Sequence, residues 1–185
     1  MIITDKKSLA YFIEKDRQAL GISRRRPKLI GDNVYKFQLT LRYTEYYTNG
    51  GGRLNFIFKK FWQFILNHYS MKLGFSIPVN TFGPGLRINH YGLIVVNPDA
   101  RIGAFCDIHQ GVNIGQNIEP GSVPEIGSNV WIGPGVKIFG KIKIADGIAI
   151  AANSVVNKSF TEPNITIGGV PARKLKDGGD PYHRK

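Results

Sequence analysis

Two histidines stand where an imidazole could do acid–base chemistry. Aliphatic residues recur every six positions, and counting back from Ile102 by sixes gives Val96 and then His90. A histidine in step with an aliphatic series either breaks the register or sits at the edge of the column. It is then either a structural side chain satisfied by a backbone carbonyl or a general base, since the pKa of imidazole lies near neutral pH. His109 directly follows Ile108, so we expect it to face outward and contact substrate.

Other site chemistries have little support in the sequence. The single cysteine, Cys106, excludes an internal disulfide and a cysteine-based zinc site. It falls in a second apolar series, so we interpret it as a small core residue. The sequence shows no cluster of metal ligands and no Gly-x-x-x-x-Gly-Lys phosphate loop, so we expect no metal.

The elements that would position these histidines follow from the six-residue period, which is neither a helix period nor a strand alternation. The period suits one flat face of a parallel β-coil, in which each short strand turns one aliphatic side chain inward and three faces complete a coil. An antiparallel sandwich is the alternative, but its turn signals are spaced more widely. The series consists of Ile102, Ile108, Ile114, Ile126, Ile132, Ile138, Ile144, Ile150 and Val156.

Three segments carry a resemblance to a known family: residues 85–96 (GLRINHYGLIVV), 108–115 (IHQGVNIG) and 168–173 (GGVPAR). The chain resembles the hexapeptide-repeat acyltransferases of the serine O-acetyltransferase branch over roughly residues 74–176. This resemblance implies a mainly β fold, a left-handed parallel β-helix of hexapeptide repeats with a small N-terminal α-helical region, assembled as a homotrimer. It also implies an acetyl-CoA-dependent O-acetyltransferase, with His90 as the general base that deprotonates the acceptor hydroxyl.

The sequence departs from the serine enzymes at positions that hold the acceptor. Where those relatives have an Asp fifteen residues before the catalytic His, this chain has Phe75, and their Asp directly before that His is Asn89 here. Their Arg-His pair appears as Ser122 and Val123. The charged groups help to hold an amino acid in the relatives, so their loss favours a sugar or polysaccharide hydroxyl over serine. We expect Asn89 to contact this small-molecule or glycan acceptor.

Acetyl-CoA is implied by the resemblance alone. The relatives lay its pantetheine arm along a groove between adjacent subunits, with basic C-terminal residues near the nucleotide phosphates. Small residues suit such a groove because an extended chain must lie close to the backbone, although Gly and Ala also occur simply as turn formers. The matching positions are Gly115, Gly133, Pro134, Ala151, Ala152, Arg173 and Lys174.

The net charge of +12 is concentrated in residues 1–73, which hold 14 Lys and Arg against 5 Asp and Glu. This skew favours anionic partners, and nucleic acid ranks lowest because no nucleic-acid-binding module accompanies it. We predict helices over residues 5–20, 32–48 and 53–73. The third is the most hydrophobic stretch. It either packs against the coil or a sister helix, or makes peripheral contact with a membrane through its aromatic and basic side chains.

We divide the chain into an N-terminal helical region (1–73), a β-helix acyltransferase domain (74–176) and a C-terminal tail (177–185). Residues 174–185 have little apolar content and are predicted to fray. The polar first residues lack the apolar core of a signal peptide, which predicts a cytoplasmic protein, peripheral to the inner face of the membrane if the third helix binds lipid. A non-catalytic hexapeptide-repeat binding or assembly scaffold is the alternative function, and His90 with its full flanking segment argues against it.

Overall fold

The computed structural model describes residues 2–181 and begins with three helices: α1 (Lys6–Ala19), α2 (Asn33–Asn49) and α3 (Arg53–Leu73). All three lie where the sequence predicts helices. At the start of α1, the Asp5 carboxylate accepts a 2.7 Å hydrogen bond from the Ser8 N–H in a capping box. The end of α3 is Gly74, whose left-handed backbone (φ 75°) glycine adopts without a Cβ clash.

Short strands follow the helices within the described residues. They are β1 (Phe75–Ser76), β2 (Arg87–Ile88), β3 (Ile94–Val96), β4 (Arg101–Ile102), β5 (Asp107–Ile108), β6 (Asn113–Gly115), β7 (Glu125–Ile126), β8 (Trp131–Ile132), β9 (Lys137–Phe139), β10 (Lys143–Ile144), β11 (Ala149–Ile150), β12 (Val155–Val156), β13 (Ile165–Gly169) and β14 (Ala172–Asp177).

The strands form three sheets, which we call A (β1-β3-β6-β9-β12), B (β10-β7-β4) and C (β14-β13-β11-β8-β5-β2). From β2 to β12, consecutive strands visit sheets C, A and B in turn, so the chain winds as a three-sided coil. Every strand pair of this coil is parallel, and only β13 and β14 pair antiparallel. The parallel sheets predicted from the six-residue period are therefore confirmed, and the antiparallel sandwich is excluded.

The two apolar series predicted to point inward fill the interior of the coil. The register stacks like on like, with Ile108 against Ile132 and Ile114 against Ile138, all fully buried. Cys106 is also buried, which confirms it as a core residue. Each coil buries its aliphatic side chains only against the coils above and below it, so the column is stable only as a stack.

Helix α3 packs against α2 with one face. Tyr43 stacks on Trp62 with ring centres 4.4 Å apart, and Tyr47 stacks on Phe58 at 5.2 Å. Leu66 is buried on α3 together with the last residue of the helix, while a row of large apolar side chains on the other face stays exposed. The packed-helix interpretation thus holds for one face alone. No helix of residues 2–181 has the length and apolar character that crossing a membrane requires.

The C-terminal end of the coil is more ordered than the sequence suggests. The expectation that residues 174–185 fray is wrong for the segment up to Asp177, because β14 pairs antiparallel with β13. The Lys174 ammonium lies 2.6 Å from a Glu162 carboxylate oxygen and 2.8 Å from one of Asp177, which holds this hairpin. The part of the tail beyond Pro181, including His183, lies outside the described residues.

Candidate active site

Most of the predicted site residues lie along one edge of the coil, where the chain turns from sheet C to sheet A. We call this edge the site corner; it consists of residues 89–93, 109–112, 133–136 and 151–154. Backbone hydrogen bonds stack the turns: the Gly111 N–H donates to the Leu93 carbonyl at 2.7 Å, and the Gly135 N–H to the Gln110 carbonyl at 2.9 Å. The corner brings together Asn89, His90, His109, Gly133, Pro134, Ala151 and Ala152.

His90 lies in the first turn of the site corner with its side chain exposed. Ile88 pairs with Ile108, and Val96 pairs with Ile114. The segment from Ile88 to Val96 is therefore two residues longer than the paired segment from Ile108 to Ile114. The extra residues form a wider turn that carries the imidazole out of the aliphatic column. The sequence allowed His90 either to break the six-residue register or to sit at the edge of the column. In the structure the register is broken at His90, and its ring is open to solvent.

His109 occupies the neighbouring position one coil further along. Its Nδ1 lies 3.0 Å from the Ile132 carbonyl oxygen, and its ring packs edge-on against Trp131 with centres 5.0 Å apart. The His109 and His90 ring centres are 6.5 Å apart. The outward direction predicted for His109 is therefore correct, although its side chain is only 14% exposed. Two imidazoles share the corner.

A buried carboxylate, Asp107, joins these residues and was not predicted from the sequence. Asp107 is 1% exposed; it accepts a hydrogen bond from the Asn89 amide and lies 2.9 Å from an Arg87 guanidinium nitrogen. The oxygen that accepts from Asn89 is also 4.0 Å from His109 Nδ1, and the other oxygen is the one beside Arg87. The position of Asp107 in the sequence could have indicated this role. A regular coil has eighteen residues, and the coil that carries His90 has two more, so the acid twenty residues after Arg87 pairs with Arg87 in sheet C.

Small residues continue the corner beyond His109. The register places Gly133 beside His109, then Ala151 and Gly168 on the following rungs of sheet C. A Cβ on Gly133 would lie 2.8 Å from the Ile150 carbonyl oxygen and 3.0 Å from the Trp131 ring, so this position tolerates no side chain. This row of small residues suits the extended arm of coenzyme A, because such an arm can lie close to the backbone there.

The other three predicted cofactor residues lie apart from this row of small residues or at its end. Gly115 pairs with Phe139 in sheet A, so within one chain it is not part of the site corner. Arg173 and Lys174 lie on β14, where Arg173 is exposed and pairs with Gly168 at the end of the row. The Lys174 ammonium donates hydrogen bonds to Asp177 and to Glu162, and these carboxylates, Asp177 first, raise the pKa of Lys174 because they stabilise its ammonium form.

A groove of about 1100 Å³ lies elsewhere, on sheet B. Its charged lining residues include Arg101, Glu125 and Lys143, and it contains none of the predicted site residues. We place the candidate site at the site corner because both coil imidazoles are there. Within residues 2–181, no group of three or more His, Cys, Asp or Glu side chains could hold a metal ion.

A parallel coil built on a six-residue period is the fold that the resemblance to the hexapeptide-repeat acyltransferases implies. Relatives and solved structures confirm the resemblance to the serine O-acetyltransferase branch. Serine acetyltransferase of Synechococcus elongatus is 33% identical over 119 residues, covering 62% of this chain and 48% of that protein. The enzyme of Staphylococcus aureus strain N315 is 38% identical over 104 residues, covering 55% and 48%. The chain thus spans about half the length of these curated relatives, and no protein-family model matches it.

Solved structures extend the similarity to the helices. Serine acetyltransferase from Neisseria gonorrhoeae superposes with a TM-score of 0.73 at 26% identity, covering 94% of this chain and 67% of that one. Serine acetyltransferase from Brucella abortus strain S19 in complex with coenzyme A gives 0.72 at 26% identity, covering 95% and 70%. The helical N-terminal region and the coil therefore have counterparts in this group of structures.

Proposed function

We propose that this protein is an acetyl-CoA-dependent O-acetyltransferase that uses His90 as its general base on an acceptor hydroxyl. The observation that carries the proposal is the widened turn that exposes His90 at the corner that also holds the small residues Gly133 and Ala151. A solvent-open imidazole can take the proton of a bound hydroxyl, and small residues let an extended thioester lie close to the backbone. The curated relatives and the solved structures named above are serine acetyltransferases, which supports this reaction class.

The chain's own residues would act as follows. His90 takes the proton of the acceptor hydroxyl, and the oxygen attacks the acetyl carbonyl of the thioester. The carbon–sulfur bond then breaks, and the imidazolium returns its proton to the departing sulfur. Acetyl-CoA supplies the acetyl group; the row of small residues holds its arm, and Arg173 faces its phosphates. Asn89 and His109 hold the acceptor.

The coil in this proposal is a left-handed β-helix over residues 74–176, and three copies form a homotrimer with an active site between each pair of subunits. Within one chain, Gly115 lies on a different edge of the coil from the other predicted cofactor residues. A groove shared by two subunits brings Gly115 of one copy near the site corner of the next. The open site corner likewise gains a second wall in such an assembly.

The acceptor we favour is a sugar hydroxyl, in polysaccharide biosynthesis at the inner face of the membrane, by a cytoplasmic protein. The exposed face of α3 supports this location. Leu54, Ile57, Phe61, Phe64 and Met71 follow helical spacing and are 55–86% exposed. The helix carries four basic residues and no acid. Apolar and cationic side chains on one helix suit an anionic lipid surface, and two copies of this helix would repel each other.

Thiol release from acetyl-CoA, measured with the full chain and with serine and amino sugars as acceptors, tests the proposal. We expect release with at least one acceptor, and we expect His90→Ala to lower kcat/KM about 100- to 10,000-fold. His68→Ala is the matched control, because His68 is exposed on α3, where its ring packs edge-on against Tyr69. Unchanged release by the His90 variant would discredit the assigned base. No release with any acceptor would favour the scaffold alternative.

A further inference from the structure

His109 is held in one orientation with one defined tautomer. A carbonyl oxygen only accepts hydrogen bonds, so the 3.0 Å contact between His109 Nδ1 and the Ile132 carbonyl requires the hydrogen to be on Nδ1. In the neutral ring, Nε2 then carries the lone pair and can only accept. The edge-on contact with Trp131 restrains the ring further. His109 is therefore a fixed hydrogen-bond acceptor.

Asp107 ties this acceptor to the turn that carries His90. Its carboxylate lies 4.0 Å from His109 Nδ1 and binds the Asn89 side chain, and Asn89 directly precedes His90. The backbone supports the same link, since the Asn89 N–H donates to the Ile108 carbonyl at 3.2 Å. The buried carboxylate thus lies beside both imidazole-bearing segments and is hydrogen-bonded to the one that carries His90.

The charges at the corner are matched with each other. Arg87 lies 2.9 Å from the Asp107 carboxylate, so guanidinium and carboxylate neutralise one another. A free amino acid brings an ammonium and a carboxylate, and each would compete with a charged partner already engaged. A neutral acceptor rich in hydroxyl groups meets no such competition.

We propose that His109 recognises a second hydroxyl on the acceptor, next to the one that reacts at His90. The acceptor class is therefore a polyol with neighbouring hydroxyls, such as a sugar ring. The two imidazoles lie 6.5 Å apart between ring centres, on adjacent rungs, so one molecule can reach both. Serine has a single hydroxyl, so only its ammonium could donate to the second imidazole, and that cation is the group for which the corner's carboxylate, Asp107, is already paired with Arg87. Asp107 acts as a positioning residue for the pair. This inference rests on the proposed acetyl transfer and names its substrate class.

The test uses the full chain and compares a methyl glycoside with its monodeoxy analogues, each lacking one hydroxyl. Saturation-transfer NMR in the presence of coenzyme A measures binding without turnover, and thiol release measures kcat/KM. We expect the wild type to prefer the intact sugar over one deoxy analogue by about tenfold, the value of one hydrogen bond. His109→Phe, which keeps a ring but no acceptor, should abolish that preference, and Asp107→Asn should reduce it by raising KM more than it lowers kcat.

His109→Asn serves as a second variant if the phenylalanine ring does not fit, and thermal melts verify that each variant folds. Equal binding of the intact and deoxy sugars by the wild type would overturn the inference, as would a preference that persists in both His109 variants. Failure to bind any sugar in the panel would overturn it as well. Sugar binding with the expected preference but without thiol release would instead contradict the proposed acetyl transfer and leave the recognition by His109 standing.

Discussion

Arg42 on α2 binds the carboxylate of Asp16 on α1 at 2.7 Å, with both side chains buried. The same guanidinium lies 2.9 Å from Glu45 and donates to the Phe82 and Gly83 carbonyls at the first turns of the coil. Asp16 in turn accepts the backbone N–H groups of residues 85 and 86 at 2.8 and 2.9 Å. This cluster fastens the helical region to the coil just before the segment that carries His90.

Arg42→Met should destabilise the protein by about 3–5 kcal/mol, because it leaves two buried carboxylates without their cation. Urea denaturation followed by circular dichroism gives the free energy of unfolding. Arg24→Met is the matched control: Arg24 pairs with Asp32 at the surface, where an ion pair contributes about 0–1 kcal/mol. Equal losses for both variants would show that the buried cluster has no special part in stability.

The same cluster predicts how stability depends on pH. Burial raises the pKa of Asp16 and of Glu45 against the opposing effect of Arg42. A carboxyl group with a raised folded-state pKa binds protons more tightly when folded, so its contribution to stability is lost as pH rises from the unfolded value of about 4 through the folded one.

The glutamine of Glu45→Gln does not titrate, so we expect the unfolding free energy of this variant to fall less steeply with pH than that of the wild type. Only the slopes are compared, so a difference in stability at a single pH does not matter. Arg42→Met removes the opposing cation and should make the fall steeper. Urea midpoints measured at intervals between pH 5 and 9 give the slopes, and parallel slopes for wild type and both variants would contradict the prediction.

The sequence predicted the fold well because its signals are local and repeated. A six-residue aliphatic period and Gly-rich turns specify strand, turn and sheet independently of distant contacts, and the three helices follow from spacing. Asp107 was missed because its role depends on its pairing with Arg87 on the adjacent strand. The two-residue insertion near His90 hides that pairing in the sequence. β14 was missed because its side chains are mostly exposed, and its pairing comes from the backbone of β13.

Gly115 is a residue whose place in the repeat can be predicted from the sequence, although its place in the fold cannot. Its position in the repeat resembles that of Gly133, yet it lies in sheet A while Gly133 follows β8 in sheet C. Sequence alone aligns repeats but does not say which edge of a three-sided coil each residue occupies. That assignment needs the strand pairing.

Arg173 and Lys174 should contribute unequally to acetyl-CoA binding. Lys174 is engaged by Glu162 and Asp177, whereas Arg173 is exposed beside Gly168 at the end of the row of small residues. We expect Arg173→Gln to raise the Kd for coenzyme A about two- to fivefold, the value of one exposed ion pair, and Lys174→Gln to change it less. Isothermal titration with coenzyme A at low and high salt measures both. A larger loss for the lysine variant would contradict this assignment.

The exposed face of α3 predicts binding to anionic membranes. Phe61 and Phe64 are 55% and 75% exposed, and burying such a side chain contributes about 1.5–3 kcal/mol when the burial is complete. The protein should sediment with vesicles containing phosphatidylserine at low salt and much less with neutral vesicles. Replacing both phenylalanines by serine should weaken this partitioning about 10- to 100-fold, because the rings enter the interface only in part.

Leu29→Ser is the matched control for this loss, because Leu29 is 94% exposed but lies outside α3. It should leave vesicle binding unchanged, so that the effect belongs to the helix face and not to surface hydrophobicity in general. If the wild type ignores anionic vesicles at low salt, the predicted membrane contact of α3 is wrong.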